Sequence, residues 1–193
     1  TGNASVAVGF EAGKGNTSGQ IIAMGYQAMV ANTSGTRNIA IGGNAYDSSD
    51  TENDNLAIGH NAMTANTAGG TANVAIGNYT MDTLTSGDEN TAVGYQSMSA
   101  ITTASDCVSM GYWSGVDITT GINNTVIGVY SGQSITEGQE NTSVGKSAGT
   151  NITTGDYNLS LGSLCRPSIA NPQSRITLGY NVSNPTDNSV RIG

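Results

Sequence analysis

The sequence has 193 residues, with 6 Lys+Arg against 14 Asp+Glu and a net charge of −8. That length allows one domain with a buried core, and the acidic balance repels nucleic acid and anionic membrane surfaces at long range, so neither is expected as a partner. Apolar residues make up 36%, only 10% are charged and 27 are Gly, a balance that excludes a disordered acidic tail and favours strands and turns.

A four-residue apolar cassette ending in Gly recurs twelve times, from "VAVG" at Gly9 to "VRIG" at Gly193. In chain order its glycines are Gly9, Gly25, Gly42, Gly59, Gly77, Gly94, Gly111, Gly128, Gly145, Gly162, Gly179 and Gly193. The spacings are 16, 17, 17, 18, then 17 six times, then 14. The residue before each Gly is large and apolar, and the residue three before it is a β-branched residue or Leu. The one between is small, Ala in the first six copies (Ala7, Ala23, Ala40, Ala57, Ala75, Ala92). Period-2 alternation predicts a strand with one apolar face, and the Gly suits a turn with positive φ or a close backbone approach. A second Gly, seven earlier, recurs at Gly2, Gly35, Gly70, Gly87, Gly121, Gly138 and Gly155. Two turn signals predict two short strands per coil.

Further slots repeat in register. Asn stands four before the Gly at Asn38, Asn55, Asn73, Asn90, Asn124, Asn141 and Asn158, a spacing suited to side chains bonding along a stack or to turn backbone. Leu84, Ile101, Ile118, Ile135, Ile152 and Ile169 form an aliphatic ladder ten before it. As that ladder appears, the slot four after the Gly changes from Met (Met29, Met63, Met81, Met98) to Gly (Gly115, Gly132, Gly149), which predicts volume exchange within one core. A unit of this length buries its apolar face only by stacking on its neighbours. With strands ~4.8 Å apart, twelve coils form a rod roughly 50–55 Å long. The fold class expected is an all-β parallel β-solenoid of about twelve ~17-residue coils, one domain over 1–193. Coils 1–162 are regular; 163–193, with "SLCRPSIANPQS", is irregular. The chain begins at Thr1 with neither an initiator Met nor a signal-peptide pattern, so a fragment or processed product is expected. No apolar run reaches the ~20 residues of a membrane-spanning helix, and no membrane insertion is expected.

The cassettes "NVAIG" (73–77), "NTAVG" (90–94) and "NTSVG" (141–145) resemble the head repeats of YadA-type trimeric autotransporter adhesins. "YQAM…NTSG…NIAIG" (26–42) is still more similar to the longer repeats of viral and phage tail-fibre proteins. The resemblance implies a left-handed β-roll assembled as a homotrimer, in an extracellular fibre on a virion or a bacterial cell surface. "DNSVRIG" resembles the segment that precedes a chaperone domain in many tail fibres, and no such domain is expected within these 193 residues.

Chemistry is sparse. His60 takes a slot held elsewhere by Phe10, Tyr26, Tyr95, Tyr112 and Tyr180, so it reads as an aromatic substitute, with no nucleophile motif beside it. The carboxylates fall mostly in loops, without the facing pairs that a glycosidase needs, and a glycan-active solenoid enzyme is the remote alternative. Asp47, Asp50, Glu52 and Asp54 crowd one loop and are a weak Ca²⁺ candidate; a solvated acidic loop is the plainer reading. Cys107 takes the Asn slot and Cys165 one held by Ala, Ser or Thr; about 14 Å of stacking separates them, too far for a disulfide. Thr85, Thr102, Thr119, Thr136 and Thr153 form a ladder beside turn glycines, read as turn chemistry rather than as an ice-binding array. The slot two after the Gly is mostly polar, and Tyr79, Trp113 and Tyr130 break it. Trp113 and Tyr130 fall in adjacent coils, an exposed ring pair suited to a sugar or a protein hot spot. The function expected is a non-enzymatic, cofactor-free homotrimeric fibre segment attaching to a glycan or protein receptor on a host or cell surface; the alternative is a rigid spacer for a distal receptor-binding domain.

Overall fold

The computed structural model describes residues 5–17, 19–65 and 69–193; Gly2, named above, lies outside them. Each cassette is a short strand: β1 Val6–Val8, β2 Ile21–Met24, β3 Asn38–Ile41, β4 Leu56–Ile58, β5 Val74–Ile76, β6 Thr91–Val93 and β7 Val108–Met110. Then follow β8 Thr125–Ile127, β9 Thr142–Val144, β10 Leu159–Leu161, β12 Ile176–Leu178 and β14 Val190–Ile192. These pair in parallel, in sequence order, as one twelve-stranded sheet. Among the described residues there is no helix. The fold is a parallel β-solenoid of eleven turns joining twelve strands, and register follows the cassette: Ala57 lies opposite Ala75, and Ala75 opposite Ala92.

Two strands per coil do not form. Among the described residues a second pair of strands forms once, between β11 Arg166–Pro167 and β13 Ser183–Asn184 in the irregular end, with an isolated parallel bridge from Asp156 to Gln173. Elsewhere the remaining sides of the coil are corners, stitched to the next coil by single bonds such as Gly115 N–H to Ser131 O (2.9 Å) and Thr102 N–H to Thr119 O (3.0 Å). Corners arise because left-handed residues recur in three slots, as at Glu89, Gln96 and Met98 in one coil (φ 58°, 51° and 49°). A residue in that region reverses the chain direction locally, so an extended second strand cannot continue through it.

The strand faces opposite to the simplest reading of its alternation. The small middle residue points inward: Ala23, Ala40, Ala57, Ala75 and Ala92 are fully buried. The large aliphatic residues on either side point out of the coil, with Val8 55%, Leu161 46% and Ile41 37% exposed. A small residue in this slot would suit the close approach of another chain's backbone; buried inside its own coil, Ala does not lie at such a contact. The reason is width. The interior is filled from the opposite wall by Met29, Met63, Met81 and Met98, and by Leu84, Ile101, Ile118, Ile135 and Ile152, all fully buried. Volume exchange holds: a Cβ on Gly132 would meet Ile135 Cδ1 at 3.0 Å, and one on Gly115 would meet Ile118 Cδ1 and Val126 Cγ2 at 2.8 and 2.9 Å. The ladder stops at Ile169, which is 45% exposed.

Buried Asn side chains zip the coils together. Asn73 Oδ1 accepts the Asn90 N–H (3.0 Å), while Asn90 Nδ2 donates to Asn73 Oδ1 (3.0 Å) and Ala104 O (2.8 Å). The pattern repeats at Asn141 and Asn158. Arg175 closes the series: its N–H donates to Asn158 Oδ1, and its buried guanidinium is held by Asp187 and Asn184 O.

Candidate functional site: the outer sheet face and its aromatic edge

On the outer face of the sheet one column is apolar in every strand, and a second is aliphatic except at Thr91, Thr125 and Thr142. At roughly 50 Å² each, about twenty such side chains make an apolar strip on the order of 1,000 Å², above the few hundred Å² that monomers commonly expose. This is the most pronounced surface feature of the chain, and it follows directly from the inward Ala.

One edge of the strip, just after the cassette Gly, is aromatic. Phe10 and Tyr26 stack (5.4 Å between centroids, 11° between planes). Further along, six rings make a continuous series: His60 on Tyr79, Tyr79 on Tyr95, Tyr95 on Tyr112, Tyr112 on Trp113 and Tyr130. The expected Trp113–Tyr130 pair exists, with centroids 6.3 Å apart and planes at 74°. Trp113 is 36% exposed, while Tyr79 and Tyr130 are half-buried. All three have left-handed backbones (φ 55–58°), as do the polar residues sharing their slot, several of which are half-buried rather than fully solvated. Sequence reading picked three of these rings; it did not anticipate that Tyr95, Tyr112 and His60 join them. The signal was present, since the slot after the Gly is aromatic in several coils. Tyr95 and Tyr112 lie nearly parallel (10°) at 5.6 Å, so their facing surfaces are spent on each other and their edges remain for other partners.

The acidic loop does not converge on a cation. Burial works to raise the Glu52 carboxyl, but Ser49 Oγ (2.6 Å) and the N–H groups of Asp50 and Thr51 (3.0 Å each) hold it below its ordinary range. Asp54 is bound by Arg37 (2.5 Å). Burial pushes Asp47 up despite its bond from Ser48. Each acid answers to a different partner, and among the described residues no group of three or more His, Cys, Asp or Glu gathers. Both cysteines are free and buried. The Thr ladder bonds along the stack: Thr85, Thr102 and Thr119 hydroxyls each donate to the next coil's Thr carbonyl. The structural glycines behave as expected, with φ between 118° and 140° from Gly9 to Gly179.

Comparison with protein-family models, with curated proteins and with solved structures returns no match for this chain.

Proposed function

We propose that the chain is a segment of an extracellular fibre, on a virion or a bacterial cell, in which three copies pack their sheet faces together around a common axis. The observation that carries this reading is the bare aliphatic strip along all twelve strands. A strip of that length is covered along its whole extent only by a partner with the same repeat, and a second copy has it. Its area, on the order of 1,000 Å² and divided between two neighbours, is comparable with the ~800 Å² that one protein buries in a standard interface. Three copies, rather than two, and a left-handed coil come from the resemblance to trimeric fibre repeats. The fibre serves attachment to a host or cell surface, and this segment contributes stiffness and reach. Light scattering at micromolar concentration should give about three times the 19.5 kDa chain mass; a monodisperse monomer overturns the reading.

Direct receptor contact by the segment is the second reading, favoured by the partly exposed rings Tyr79, Trp113 and Tyr130. Three copies of a weak site on a stiff rod bind by avidity. Trp113→Gln with Tyr130→Gln should then weaken capture of target cells or glycans while the oligomer persists. Unchanged capture leaves the segment as a spacer alone.

A further inference from the structure

The sheet face has two edges. The upstream edge is the slot five before the cassette Gly, and the downstream edge is the slot one after it. Acids occupy the upstream edge in four coils, at Asp54, Glu89, Asp106 and Glu140, all exposed. In those same four coils the downstream edge carries His60, Tyr95, Tyr112 and Lys146, also exposed. Each coil with an acid upstream therefore has a hydrogen-bond donor or a cation downstream. No described coil places an acid on its downstream edge. The one upstream cation, Arg37, has Gly43 opposite and is bound by Asp54 of the next coil. The near-parallel stacking of Tyr95 on Tyr112 turns ring faces along the stack; the Tyr112 hydroxyl is taken by Tyr130, which leaves the hydroxyl edge of Tyr95 for a lateral partner.

These pairs cannot close within one chain. Glu140 and Lys146 lie on opposite sides of the same strand, six residues apart along a mostly extended segment, roughly 15–20 Å. They meet when a second copy stands beside the first, parallel and at the same height. Rotation about an axis along the solenoid brings every upstream edge against a neighbour's downstream edge, the head-to-tail contact of a closed ring.

We infer that this chain assembles parallel and in register, with Glu140 of one copy on Lys146 of the next and Glu89–Tyr95 pairing likewise at its own height. Asp54 is already held by Arg37 and the Tyr112 hydroxyl by Tyr130, so those two coils add no pair of their own. The aliphatic strip supplies association but not register, because sliding by one coil puts aliphatic on aliphatic again. The polar edge pairs supply the register: a one-coil slip sets Glu140 against Val129 or Ser163 and leaves Lys146 facing Asn123 or Tyr157. The inference rests on the fibre reading above.

The test is Glu140→Cys with Lys146→Cys in the full chain, oxidised and run without reductant. A disulfide needs Cα atoms within ~7 Å, so a link between these positions joins different chains. A three-chain band, absent from either single variant, is expected. A trimer by light scattering that fails to cross-link, or that links Glu140→Cys to Val129→Cys or Ser163→Cys in preference, overturns the register and leaves the trimer standing. A monomer overturns both, and a two-chain band keeps the register while overturning the number three. As an independent arm, Glu140→Lys should lower the melting temperature of the assembly, and adding Lys146→Glu should recover most of the loss. No recovery in the double variant overturns the pairing.

Discussion

Gly77→Ala tests the stacking geometry at its tightest point. Gly77 has φ 135°, which L side chains rarely adopt, and an added Cβ would press on the Gly94 carbonyl of the next coil. The backbone strain costs ~1–3 kcal/mol. Relieving the overlap means lifting the next coil, which loosens Gly94 N–H to Ile76 O (2.8 Å) and Gln96 N–H to Asn78 O (3.1 Å), each worth ~1 kcal/mol. The total is roughly 3–5 kcal/mol, a fall in melting temperature of about 10 °C for a chain of this size. Gly69 separates the two contributions: its φ is 105°, yet among the described residues nothing lies within 4 Å of its added Cβ. Gly69→Ala therefore carries strain alone and should lose about 2 kcal/mol less than Gly77→Ala. Calorimetry of both variants at one protein concentration is the assay, since assembly makes melting concentration-dependent. Equal losses at the two sites would refute the stacking argument, and so would an unchanged melt for Gly77→Ala.

Cys107→Asn should stabilise the chain by ~1 kcal/mol, or a few degrees, because one acceptor is missing from the buried ladder. The Cys107 thiol already donates to Gly121 O (3.3 Å), as an Asn amide does in other coils, but sulfur is a weak acceptor for the Asn124 N–H; an unchanged or lower melt would mean the slot is not interchangeable. Glu52 governs part of the acid limb. Its folded carboxyl titrates below its unfolded value of about 4.3, so it stabilises above that pH, and the contribution is lost as pH falls through the folded value. Glu52→Gln should lower stability near neutral pH by ~1 kcal/mol and flatten the loss below pH ~5. A variant with the parent's full acid slope assigns that slope to other carboxylates, such as Asp187 beside Gln173 and Arg175.

The period was legible because stacking forces like onto like. Twelve cassettes became twelve paired strands, the Asn slot became a bonded ladder, and Ile118 and its equivalents became core. Two features were not legible for one shared reason: alternation says that a strand has two faces, not which one a coil this narrow admits. Ile41 and Ala40 are neighbours on β3, and only the volume already claimed by Met29 and Tyr46 across the coil decides that Ala40 turns in. The predicted second strand fails similarly. The second Gly, in the coils that have one, as at Gly87, sits where a Cβ would press on the next coil's carbonyl but does not itself carry positive φ. The reversal is made by ordinary residues such as Glu89, which no residue-type rule marks. The aromatic edge lay between these extents: its rings were readable slot by slot, but that Tyr95 and Tyr112 spend their facing surfaces on each other depends on side-chain orientation.

A coil filled from one wall by Met or Ile has room for no more than Ala, Ser or Val on the strand opposite. The sheet's large aliphatic residues are then left outside by the same packing that makes the coil dense. Single coils are short of core and gain it by stacking; the stacked rod is left short of cover on one side, and the proposed assembly would supply it. Filling the interior slot with larger residues would not cure this, because overpacking costs ~1–3 kcal/mol per site. Making the outer columns polar would cure it, and the strand would then be an ordinary half-buried one. The chain keeps Val, Ile, Leu or Met beside the turn in all twelve coils. A column so uniformly apolar matches a surface buried along its full length, and a receptor site confined to a few coils would not require it.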